Sequence, residues 1–128
     1  DLGLLVWSLE RGADATAFGK RQSLVQVEFT DQPKDKRLWW FINREDKCEL
    51  CLEDPGFEVD LYLACSLADM IYIVRGDLPL AQALSSGRLE ALGSTRARRA
   101  LRAWLNLSPL TKIKPQNRLE AVAAPPRR

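Results

Sequence analysis

The sequence predicts an α+β domain: an antiparallel-rich five-stranded sheet with helices packed on one face. Three observations carry this. Four stretches of two-residue apolar alternation crowd into residues 23–65, and segments with helical spacing mostly follow them. A chain of 128 residues with 46% hydrophobic content suits one core.

Leu2, Leu5, Val6 and Leu9 recur at helical spacing, and Gly12 stands just beyond them, so a short amphipathic helix opens the chain. From Ser23 to Thr30, Val25, Val27 and Phe29 alternate with Gln26 and Glu28, the pattern of a half-buried strand. The polar run Asp31–Lys36 is a turn, and Arg37–Asn43 is the second strand. A second turn, Asn43–Asp46, leads into Lys47–Glu53, with Cys48, Leu50 and Leu52 expected inward. Short polar turns between three strands imply an antiparallel meander. Asp54-Pro55-Gly56 breaks the ladder before a fourth strand, Val59–Cys65.

Ser66 is an expected N-cap, with Asp69 three residues on in a variant of the capping box. Leu67, Met70, Ile71 and Val74 form the helical stripe, ended by Gly76. A short helix starts near Pro79 and stops at Gly87. Arg88–Leu92 is the last strand. Ser94 or Thr95 caps a final helix that turns Ala97, Ala100, Leu101, Trp104 and Leu105 to one side. Residues 1–110 are expected to form the domain, and 111–128 a C-terminal tail. The one methionine is Met70, so an upstream segment is also expected.

Composition narrows the function. With no histidine, Ser-His-Asp and Cys-His catalysis and the commonest metal ligand are removed. No catalytic residue, cofactor or metal is assigned, and the chain is expected not to be an enzyme. Cys48 and Cys51 have metal-like spacing, but i and i+3 on a strand point to opposite faces, and four ligands cannot be found. Three cysteines fit a reducing cytoplasm better than a disulfide framework. A net charge of +2 is too small to advertise nucleic acid, and Arg96, Arg98, Arg99 and Arg102 read as a solvated helix face. Asp54, Glu58 and Asp60, around the Pro-Gly turn, are read as structural. No apolar run approaches the roughly 20 residues of a membrane helix.

The apolar residues say more. Leu38–Ile42 is hydrophobic on both faces, so Trp39 or Trp40 must face outward, beside Tyr62. These three are the expected interface, for a homodimer or an upstream domain, unless the N-terminal helix covers them. Leu50, Leu61, Leu63, Met70, Ile71, Val74, Leu84, Leu101 and Trp104 point inward. They are expected either to interlock as a solid core or to stand apart around an apolar small molecule.

Gly76 to Gly93, with its three glycines closing a helix, a second helix and a strand, resembles the sterol carrier protein signature. Trp39-Trp40, the stretch Cys51–Asp60 and Trp104–Pro109 are similar to the C-terminal domain of HxlR-type winged-helix transcriptional regulators of bacteria. The resemblance covers about residues 1–110. It implies helices over a twisted five-stranded sheet with a cavity for an apolar or fatty acyl-like ligand, and an upstream winged-helix domain. The chain carries no winged helix, so direct nucleic-acid binding is not expected of it, and a peroxisomal address is missing.

Overall fold

The computed structural model describes residues 1–107. The expected tail at 111–128 lies outside them, as do the last three residues of the expected domain.

Helix α1 (Leu2–Gly12) starts where the Asp1 carboxylate accepts a hydrogen bond from the Gly3 amide, and buries Leu5, Val6 and Leu9. Strands β1 (Gln22–Phe29), β2 (Leu38–Arg44) and β3 (Lys47–Cys51) form the expected antiparallel meander. β3 ends at Cys51, two residues early. Leu52 is therefore 70% exposed rather than inward.

Strand β4 (Leu61–Cys65) pairs with the far side of β1, in parallel, and β5 (Leu89–Gly93) runs antiparallel to β4. The order is β3-β2-β1-β4-β5, a mixed sheet. Reaching β4 from β3 requires the chain to cross β2 and β1. It does so on the outer face, where Val59 packs on Leu24, Trp40 and Ile42. Asp60 sets the crossing in place. Its backbone amide donates to the Leu24 carbonyl, its carboxylate accepts from the Leu24 amide, and Lys20 pairs with it. The structural reading of Asp60 holds. Asp54 also serves the turn, accepting from the Gly56 amide at 2.8 Å.

Helix α2 (Leu67–Arg75) is capped by the Ser66 hydroxyl, which accepts from the Asp69 amide at 3.0 Å. Asp69 does not reach back as a capping box would. Its carboxylate instead takes two hydrogen bonds from Arg88. Asp31, on the loop after β1, accepts from the Leu67 amide and so satisfies another of the helix's orphan donors. Gly76 ends α2 at φ 86°, a conformation that costs a side chain about 1 kcal/mol or more. After α3 (Leu80–Ser85), the expected single final helix is two short ones, α4 (Thr95–Arg99) and α5 (Leu101–Leu105), divided at Ala100.

All five helices contribute to the core on one sheet face. Val25, Val27, Phe29, Phe41, Leu61, Leu63 and Cys65 point to that inner face and are buried. N-terminal helix α1 belongs to this layer, so it does not cover the outer face.

Candidate functional site

Eight of the nine expected ligand residues join the inner core. Leu61, Leu63, Met70, Leu101 and Trp104 are buried, while Leu50, Ile71 and Val74 pack at the margin. Leu84 is the exception: α3 is barely a turn and a half, Leu80 and Ala83 face inward, and Leu84 is 39% exposed. The centre of the interface is filled. Trp104 meets Phe41 edge-on, with centroids 5.6 Å apart at 74°, and its indole N–H donates to Asn43 Oδ1 at 2.8 Å. Ile73, which sequence periodicity passed over, is as deeply buried as Met70.

Space opens away from that centre. Between α1, the end of α2 and α5 lies a hollow of about 250 Å³, walled by Leu9, Ala13, Val74, Trp104, Leu105 and Leu107. It is apolar except at its rim, where Ser8 and Asn106 stand. Two expected ligand residues, Val74 and Trp104, border it. The others of its wall escaped because only the docking of α1 on α5 brings them together. That docking is fixed by the Asp14 amide donating to the Trp104 carbonyl, and by Asn106 Nδ2 donating to the Gly12 carbonyl.

A larger cleft of about 760 Å³ lies where β4 and β5 meet α2 and α3. Its character is different. Thr30, Ser66, Asp69, Arg88 and Glu90 line it, with the Asp69–Arg88 ion pair (2.7 Å) in its wall, and Leu84 is there. It is a polar, half-open groove.

One buried feature is polar. Ser23 and Asn43 face each other across β1 and β2 on the inner face, at 2% and 1% exposure. Among the described residues neither Ser23 Oγ nor Asn43 Nδ2 has a hydrogen-bond partner. Cys48 stands opposite Asn43 on β3. The signal was legible, since both positions have inward parity in strands whose other inward residues are apolar.

Of the expected interface, Trp40 and Tyr62 occupy the outer face, in one row with Gln26 between them. Trp40 is covered by the crossing chain and donates to Gln26 Oε1 at 3.1 Å. Trp39 turns inward and packs at the edge of the main core. Tyr62, Leu92 and Leu38 are exposed.

The thiols are poorly suited to nucleophilic work. Burial pushes Cys48 up to about 12, helped by the nearby Glu10 carboxylate, and pushes Cys65 up to about 12 as well. Cys51 also lies above its ordinary value, again through burial. Cys48 packs on the main core and Cys51 on the outer-face cluster, as opposite strand faces require. Among the described residues no cluster of three His, Cys, Asp or Glu groups forms that could hold a metal, and no helix is long and apolar enough to cross a membrane.

A five-stranded mixed sheet with its helices on one face, in this order, is the fold of sterol carrier protein 2 domains. The UbiJ-SCP2 ubiquinone synthesis protein is similar over 88% of each chain, at 19% identity and a TM-score of 0.55. The sterol carrier protein domain 2 of Helicoverpa armigera is similar over 87% of this chain and 84% of its own, at 14% identity and a TM-score of 0.58. An inverting sec-alkylsulfatase from Pseudomonas sp., Pisa1, contains the same fold within a longer chain. There the match covers 77% of this chain and 15% of the sulfatase, at 15% identity and a TM-score of 0.60. No family model matches the chain, and no curated protein does.

Proposed function

We propose that this chain is a non-catalytic regulatory domain that binds an apolar or lipid-like small molecule. The observation that carries the reading is the apolar hollow between α1, α2 and α5. The neighbours named sterol carrier proteins support the same class of cargo. The motifs shared with HxlR-type regulators extend the proposal to its setting: a bacterial transcriptional regulator whose winged helix lies upstream, in the cytoplasm.

At about 250 Å³ the hollow is smaller than the roughly 300–1,000 Å³ of drug-sized sites. A longer ligand therefore needs α1 or α5 to move outward. Both are short and lean on few hydrogen bonds, and each ligand methylene buried returns about 0.8 kcal/mol. A ten-carbon chain reaches micromolar affinity on that basis, after the costs of association. Native mass spectrometry of the purified chain, with a thermal-shift panel of fatty acyl and aromatic compounds, tests this. A co-purifying apolar mass or a ligand-dependent rise in melting temperature is expected. Neither appearing would overturn the reading.

A second reading, a dimerisation module without ligand, is favoured by the exposed Leu38, Tyr62 and Leu92 on the outer face. Sedimentation decides it. A monomer at micromolar concentration removes it.

A further inference from the structure

We infer that Ser23 and Asn43 form an internal anchor for the neutral oxygen, carbonyl or hydroxyl, of an apolar ligand's head group. This rests on the ligand reading above and specifies its chemistry. The starting point is a cost. A buried hydroxyl or amide without a partner forfeits roughly 1–3 kcal/mol, and here two such groups sit side by side. Replacing them with Val and Leu would fit both strands, whose other inward positions are apolar.

The geometry sets the polarity of what they accept. Trp104 donates to Asn43 Oδ1, which fixes the amide orientation and leaves Nδ2 as the free group. Nδ2 offers N–H bonds, and Ser23 Oγ can donate or accept. A carbonyl oxygen takes both donors. A hydroxyl takes one from Asn43 and gives one to Ser23. A carboxylate fits poorly: it would be desolvated on a row whose far member, Cys48, already feels the Glu10 carboxylate.

Trp104 links this pair to the apolar hollow. Its indole borders the hollow, and its N–H reaches Asn43. Outward movement of α5 carries the indole with it and joins the two spaces, so the ligand's apolar body lies in the hollow and its head reaches the strands.

The experiment is displacement of N-phenyl-1-naphthylamine, a neutral apolar fluorophore, by decane, 2-decanone, 1-decanol and decanoate. The ketone and alcohol are expected to compete about tenfold better than decane or decanoate, as one desolvated hydrogen-bonding pair supplies. Asn43→Leu should abolish that advantage and leave decane within twofold. This variant also strands the Trp104 N–H, so Ser23→Ala is the safer substitution, and it should cut the advantage about threefold. Equal displacement by decane and ketone, stronger displacement by decanoate, or a ketone advantage unchanged in Ser23→Ala each overturn the anchor while leaving the apolar site standing. Failure of the fluorophore and of all four competitors to bind overturns the ligand reading, and the anchor with it.

Discussion

The two faces of the sheet pass through adjacent residues, Trp39 and Trp40, and have opposite fates. Inward, Trp39 meets a core closed by five helices. Outward, Trp40 is sheltered by the protein's own crossing segment, in a cluster whose fully buried members are only Leu24, Trp40 and Ile42. Beyond that shelter Tyr62 and Leu92 meet solvent. One face is given over to folding, and the other is finished only at one end. Stability and ligand chemistry belong to the first, and any association with other chains belongs to the second.

The sharpest way to break this comparison is to truncate one aromatic on each side. Trp104→Ala should cost about 3–5 kcal/mol in urea unfolding, since it empties the centre of the core. Tyr62→Ala should cost less than about 1 kcal/mol, as exposed positions do. Equal costs would mean that the outer face matters to stability as much as the inner.

Gly93→Ala comes next. A Cβ there would sit 2.6 Å from the Asp60 carbonyl oxygen, where β5 passes the crossing segment. A loss of about 1–3 kcal/mol is expected, of the size overpacking brings. A neutral substitution would show that the crossing segment yields easily to an added methyl group.

Thiol labelling sharpens the contrast kinetically. At pH 8 Cys51 should react first with a disulfide reagent, with Cys48 and Cys65 following only on unfolding, because their thiols are pushed up to about 12. Peptide mapping reads the order, and early labelling of Cys65 would contradict the sealed inner face.

The smallest effect is a pH dependence. The Leu67 amide holds the Asp31 carboxyl below its ordinary value. A depressed folded value means that the carboxylate supports the fold above about pH 4 and that this support is lost as pH falls through the folded value. The stability difference between wild type and Asp31→Ala should therefore shrink between about pH 6 and about pH 2.5. A constant difference would place the effect elsewhere.

Much of this was legible in the sequence. Alternation from Val25 to Phe29 and from Leu61 to Cys65 marks strands because a half-buried sheet has no other solution, and the Ser66 and Ser94 caps announce their helices locally. What escaped was non-local. The parallel union of β1 with β4 depends on Asp60 meeting Leu24, and nothing near Asp60 in sequence announces it. Leu38–Ile42 is apolar on both sides, so parity alone could not say which tryptophan faces the helices. Leu84 misled because a six-residue helix has too few turns to define a stripe. Of the apolar hollow, only Val74 and Trp104 were anticipated, since its wall exists only after three helices dock.

The pairing of β1 with β4 also governs how the polypeptide must assemble. The meander at residues 22–51 can zip from neighbouring turns, yet β1 then waits with one row of amides and carbonyls bare until β4 returns over the far side. Such a delay slows folding and offers a template to any other strand nearby. A fragment ending before Leu61 would carry that exposed row permanently, so truncation there should produce aggregates in place of a smaller soluble unit.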